Sequence, residues 1–255
     1  MDKEHFELPL SKELQDLFDA MKSAREKMTE NAVLAKLEVG KLTPEQWKEF
    51  AIQRYLAALN FEKLLAAGVR QAKDNGDALL AETLQSNLND ETGTVEGKVE
   101  PKLAHTNWRK DFYAALGVSA EELKFAAPRV GTRAYVTELE HLSDDTKLKI
   151  VGALLVLEYT IPHEFKRIQT GRDASFPGAF VVQPLDTAEI REQKERARLY
   201  IDDHIAHDAR SHYPDLLKAL QPHLSMPANL AEVKEGIQRI AEAKRLFYAD
   251  LEKIL

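Results

Sequence analysis

Three of the 8 histidines fall in one short run, DDHIAHDARSH: His204, His207 and His212, with Asp208 among them. At about 3.6 residues per helical turn, His204, Asp208 and His212 form an i, i+4, i+8 row that steps only about 40° round the axis each time. One helix face could therefore offer two imidazoles and a carboxylate. His207 sits at the other edge of that face and is a substitute donor. Imidazole nitrogen and carboxylate oxygen are the hard-to-borderline ligands that suit iron or manganese. A solvated polar stripe beside Asp202, Asp203 and Arg210 is the plainer account of the same residues.

Glu158 directly follows the apolar run IVGALLVL, with no basic residue close in sequence. A carboxylate buried there is costly and requires a cation, a proton or a partner, either a metal or an Arg from another helix. Glu91 in NLNDETG and His105 in AHTNWRKDF mean little singly, since Asp90 adjoins the first and a His ahead of a helix is commonly a cap or a surface group. Taken with Glu158 and the later cluster, they make three carboxylates and three imidazoles drawn from separate helices, and carboxylates can bridge two ions. The Glu-x-x-His spacing of ferritin-like carboxylate sites is needed twice but occurs once, at Glu138 and His141.

The elements that must position these groups read as helices almost throughout, so the fold class is all-α. A first helix runs from a Ser11 cap to Val39 and stops at Gly40. A second opens at the Thr43, Pro44, Gln46 capping pattern and runs to about Asp74. A third spans Asp77 to near Gly93, and the glycine-rich TGTVEGKVEP after it is a loop. A short helix from Thr106 closes at Gly117, and SAEELKF starts another. Further helices cover Arg133–His141 and Asp145 to about Thr170, the latter interrupted at Pro162. After a connector, GRDASFPGAFVVQPLD, Asp186 and Glu189 form a capping box for a helix through Tyr200, His204 and His212 to Pro214 or beyond, and Asn229 starts the last. No repeat or linker breaks residues 1–255, so one helical domain is expected.

Composition removes several classes of function. The chain has 255 residues with 35 Lys plus Arg against 42 Asp plus Glu, a formal charge of -7, which gives no basic field for nucleic acid. The count of Cys is 0, so disulfides, thiolate nucleophiles and iron-sulfur clusters are excluded, and any metal must use His and carboxylate. The start, MDKEHFELPL, has no apolar core of a signal peptide, and no apolar run approaches the roughly 20 residues of a membrane span. A cytoplasmic protein with no membrane partner is expected.

In their order, GKLTPEQWKEFAIQRYL, NLNDETG, AHTNWRKDFYAALGV, GALLVLEYTIPHEF and the HIAHDARSH helix resemble the haem-oxygenase-like diiron oxidases, the iron-containing redox enzymes, over about residues 31–220. The resemblance implies a haem-oxygenase-like seven-helix bundle with two nonhaem iron ions that activate dioxygen. It assigns ligand roles to Glu91, His105, Glu158, His204, Asp208 and His212, and Glu62 is the nearest match to an additional carboxylate of some members. One departure is Ser211, where members often carry the final His. Here the His comes one residue later, which implies a widened helical turn or His207 in its place. Asn31 stands where haem-binding relatives would supply their ligand, which disfavours a haem enzyme.

The resemblance further implies an oxidase or oxygenase that draws on dioxygen and an external electron donor. Its substrate would be an amino acid, a fatty acid or the protein's own side chain, and a homodimer is expected. Tyr159, beside Glu158, is a candidate for radical or hydrogen-bond chemistry, although a core Tyr is the plainer reading. Arg129, Arg133 and Arg167 are candidate carboxylate clamps. Phe61, Phe125, Phe165 and Phe180 read as core rather than a lipid tunnel. The connector from Gly171 to Leu185 is long enough to cover the site as a lid. Two other functions use the same residues: a metal-free cofactor-maturation or hydrolytic enzyme with His as acid and base, and a noncatalytic helical binding protein.

Overall fold

Helix signals in the sequence act locally, and the first place they compete is Glu30–Asn31. The structure, a computed structural model, describes residues 11–255, apart from the side chains of Asp208 and Ala209. Ser11 caps α1 (Lys12–Thr29) by accepting from the Leu14 N–H, as expected. The helix does not continue to Val39. The Asn31 side chain accepts from the Leu34 N–H at 2.9 Å and opens α2 (Ala32–Glu38), because a short amide side chain competes for backbone groups better than it extends a helix. Thr43 and Gln46 form the expected capping box of α3 (Pro44–Ala58). The long second helix is likewise split, since Asn60 leaves helical geometry and donates to Glu140, and α4 (Phe61–Asp74) follows.

Asp77 caps α5 (Ala78–Thr92), which ends at Gly93 as expected. The following loop contains a two-stranded hairpin, β1 (Thr94–Val95) with β2 (Lys98–Val99), turning on Glu96 and Gly97, both at positive φ. A ribbon this short has too few residues for alternation to register in sequence. Next come α6 (His105–Ala115), α7 (Ala120–Phe125) and α8 (Val130–Ser143), the last longer at both ends than expected. Helix α9 (Lys147–Ser175) runs unbroken through Pro162. Proline there removes only the hydrogen bond to the Glu158 carbonyl, and buried Glu164 and Phe165 on one face anchor the helix beyond it.

Helix α10 (Ala188–Arg210) is capped by Thr187 rather than Asp186, whose carboxylate instead accepts from the Gln183 N–H. The chain breaks at Ser211 and restarts as α11 (His212–Leu220), so the expected continuous helix to Pro214 is corrected here. The last helix, α12 (Pro227–Leu251), starts with Pro at its first position, and Asn229 is one turn in rather than the cap.

Helix α9 is the centre of the bundle. Its residues Ile150 to Leu157 are buried on every side, which is why they read as a continuous apolar run rather than a stripe. Helices α1, α2, α10, α11 and α12 pack around it. A Cβ added at Gly152 would lie 2.1 Å from the Val233 carbonyl oxygen, and one at Gly236 would lie 2.0 Å from that of Lys149, so α9 and α12 meet backbone to backbone. Among the described residues, no helix is long and apolar enough to cross a membrane.

Candidate metal centre

The last turn of α5 carries Asp90 and Glu91, and Gly93 decides what faces them. Gly93 has φ 66°, and a Cβ there would lie 2.6 Å from the Ala104 nitrogen. The hairpin loop therefore closes tightly on the end of α5 and brings His105, the first residue of α6, over Glu91 with Nδ1 3.2 Å from Oε1. His204 on α10 approaches the same oxygen, its Nε2 at 3.6 Å. Its Nδ1 lies 2.6 Å from the Tyr200 carbonyl oxygen, so that nitrogen donates and Nε2 is the one that could take a metal. The ring also stacks on Phe165 at 4.8 Å between centroids, which fixes its plane. Glu91, His105 and His204 are all buried, with ligand atoms within 4.8 Å of one another.

A second group adjoins the first. Because α10 stops at Ser211, with φ -126° and ψ -66°, His212 begins a new helix and its side chain is redirected into the bundle. Its Nδ1 lies 3.6 Å from Glu158 Oε2, and its Nε2 lies 3.0 Å from Asp90 Oδ2. His207, exposed, lies 3.6 Å from the same Asp90 oxygen. Asp90, His207 and His212 thus form another set with ligand atoms within 4.8 Å. The side chain of Asp208 lies outside the described residues. Among the other five ligand candidates, Glu91, His105 and His204 converge, and Glu158 meets His212 beside them.

Electrostatics at the first group follow from its contacts. Burial would raise the Glu91 carboxyl, but hydrogen bonds and charge from His105 and His204 outweigh it and hold the group well below the usual carboxylate range. Burial would lower His105, but its hydrogen bonds to Asp203 and Glu91 prevail and push it up to about 10. Asp203, 3.2 Å from His105 Nε2, is held down chiefly by that same bond. In the metal-free chain an imidazolium therefore bridges the carboxylates of Glu91 and Asp203. The donors present are oxygen and neutral-capable nitrogen, with no sulfur. They fit iron by ligand chemistry, and the His204 tautomer is already set for it.

The remaining sequence candidates fall elsewhere. Glu62 lies 3.6 Å from Arg109 Nη2, and burial raises its carboxyl. The Tyr159 hydroxyl accepts from Arg25 at 3.2 Å and its ring faces Tyr213, so it is tied to the rim of a cleft that Glu158 also lines. Arg129 pairs with Asp250, Arg133 is exposed, and Arg167 bonds Glu38 and the Thr29 carbonyl. Phe165 and Phe180 are core, Phe61 lines a partly open cavity, and Phe125 is exposed, contrary to expectation. Gly171 and Arg172 of the expected connector are buried in α9, and Phe180 packs on Phe112. Asp90 and Asp203 were not legible as site residues. Adjacency to Glu91 and His204 was the one signal for the two acids.

The bundle is similar to several solved structures. A CADD-like protein of unknown function from Nostoc punctiforme matches with TM-score 0.71 and 16% identity over 94% of this chain and 98% of that one. A TenA homolog from Pseudomonas syringae pv. tomato matches with TM-score 0.73 and 14% identity over 95% and 93%. A domain of unknown function with a haem-oxygenase-like fold from Shewanella denitrificans matches with TM-score 0.64 and 14% identity over 97% and 94%. At these identities the likeness is one of fold, and the fold is haem-oxygenase-like. No curated protein matches the sequence. Residues 48–245, which hold Glu91, His105, Glu158, His204 and His212, match the family described as iron-containing redox enzymes. On that match the chain belongs to the iron-containing redox enzyme family.

Proposed function

We propose that the chain is a nonhaem diiron oxidase or oxygenase that acts on a small organic substrate with dioxygen and an external electron donor. The observation that carries this reading is the buried convergence of Glu91, His105 and His204 within 4.8 Å, with Glu158 and His212 adjoining. Iron bound there would supply the one-electron chemistry with dioxygen that amino-acid side chains lack. The chain's own residues would do the rest. The Tyr200 carbonyl and the Phe165 face would hold the His204 ring in one tautomer and orientation, and Asp203 would orient His105. Glu91 would hold iron together with the two imidazoles that meet its Oε1, and the apolar wall of α9 would keep water from the reacting centre.

A metal-free enzyme is less well supported. The likeness to the TenA homolog is one of fold, and a covalent hydrolytic route of the thiaminase kind needs a cysteine nucleophile, of which there are 0. Anaerobic loading with ferrous iron followed by elemental analysis tests the reading. A pair of irons per chain is expected, falling to nearly none in Glu91→Ala and strongly reduced in Glu158→Ala. Loading that is negligible in the wild type, or unchanged in both variants, would overturn it.

A further inference from the structure

Asp90 and Glu91 are neighbours on α5, yet they meet different surroundings. Glu91, His105 and His204 are buried, whereas the side chains of Asp90 and His207 are 42% and 44% exposed. The break at Ser211 sets His207, in the last turn of α10, edge to face with His212, the first residue of α11, their ring centroids 4.7 Å apart. The two Nε2 atoms lie 3.6 Å and 3.0 Å from one oxygen, Asp90 Oδ2. For His207 that distance is too long for a hydrogen bond. Donors bound about 2.0–2.2 Å from one ion stand roughly 3.0–3.5 Å from each other, so the spacing suits a single cation. All three residues line an open cleft of about 540 Å3 between α5 and α11, with the acids Glu82 and Asp215 and with Lys218. On its inner side His212 turns its other nitrogen, Nδ1, to within 3.6 Å of Glu158 Oε2.

We propose that Asp90, His207 and His212 form a separate site for a divalent transition-metal ion, which captures ferrous iron from solution ahead of the buried acids. The capture role rests on the diiron reading, but the metal site itself does not. A hydrated cation needs an entry path to a buried centre, and it gives up water only where protein donors replace it. Donors here run inward in order, from the exposed Glu82 and Asp215 through Asp90 and His207 to His212 and then Glu158. His212 is the link, because one ring faces the outer carboxylate with Nε2 and the inner one with Nδ1. Two imidazoles and a carboxylate select ferrous iron, cobalt or zinc over magnesium and calcium, which prefer oxygen throughout. Solvated side chains must be ordered to bind, so this ion is held less tightly than one in the buried group and can be passed on.

Cobalt(II) titration of the full-length Glu91→Ala chain, read by visible absorbance, isolates the site, because the buried group is disabled there. One cobalt per chain is expected, removed by desalting and unaffected by about a tenfold excess of magnesium. Adding His207→Gln should weaken it at least about tenfold. With Glu91 intact, His207→Gln is expected to slow anaerobic ferrous uptake about tenfold and leave the final iron content unchanged, since His207 faces Asp90 rather than Glu91 or Glu158. Urea melts establish that each variant is folded, and Glu91→Gln replaces Glu91→Ala should the latter fail to fold. Absence of bound cobalt, cobalt displaced by magnesium or indifferent to His207→Gln, or ferrous uptake at an unchanged rate in His207→Gln would overturn the proposal. Cobalt held by Asp90 and His207 in a chain that takes up no iron would sink the diiron reading and the capture role while the metal site stands. Normal iron loading without the cobalt site would sink this proposal alone.

Discussion

Glu158 and Glu164 sit on the same central helix, both almost completely buried, and the fold treats them differently. Glu164 contacts Arg54 from α3 and both Lys244 and Tyr248 from α12. Its charge is answered by groups the chain itself supplies. Glu158 meets the His212 imidazole, and the neighbouring Glu91 is met by His105 and His204. A guanidinium cannot give up its proton, but an imidazole can and then becomes a ligand. What separates a structural acid from a candidate metal ligand is therefore the chemistry of its partners, since burial is the same for both.

The comparison breaks most readily at Glu164. Glu164→Ala leaves Arg54 and Lys244 buried without their carboxylate, and a loss of about 3–5 kcal/mol is expected in urea denaturation of the metal-free chain. Glu158→Ala should do the opposite, costing under about 2 kcal/mol in the same assay while strongly reducing iron uptake. If both variants lose stability alike and neither changes iron content, the distinction has no content. Iron itself gives the next effect: at about a hundredfold excess over its dissociation constant it should stabilise the wild type by about 2.7 kcal/mol, and Glu91→Ala by almost nothing. A melting temperature of the wild type that is indifferent to iron would contradict this.

Acidity sharpens the contrast from another side. His105 is raised from 6.5 to about 10, so its contribution to the metal-free fold is fully present below about 6.5 and is lost as pH rises through 10. Proton and metal compete for that imidazole, so iron uptake should strengthen between about pH 6 and pH 8 while His105's share of metal-free stability does not increase. Parallel rather than divergent profiles would show that His105 is not a ligand. The smallest expected change is for Asp203→Asn, which keeps the shape beside His105 but removes the charge. Iron affinity should fall about tenfold with the stoichiometry unchanged.

Much of the site was legible because ligand atoms must come from particular residue types, and with 0 Cys the choice reduces to His and acids. Glu158 announced itself by interrupting an apolar run, whereas Glu164, in IPHEF, did not, because its cations arrive from α3 and α12. The row His204, Asp208, His212 assumed one straight helix. The break at Ser211 reassigns His212 to α11 and turns it toward Glu158 and Asp90. Caps at Ser11 and Thr43 were read correctly, since a cap is a contact between residues three apart. Breaks at Asn31 and Asn60 were missed, because whether an asparagine side chain ends a helix depends on what it bonds.

By itself, the sequence determined the all-α class, most helix starts, the absence of sulfur ligands and the pool of candidate donors. These follow from local periodicity and residue chemistry, which do not require knowing what lies across the bundle. The tertiary structure decided the rest: that Gly93 lets the hairpin loop bring His105 onto Glu91, that Asp203 and Asp90 back the imidazoles, and that His212 reaches Glu158. Each of those is a meeting of side chains far apart in the chain. Which groups meet is set by how the helices pack around α9, a property of the whole core rather than of any segment of it.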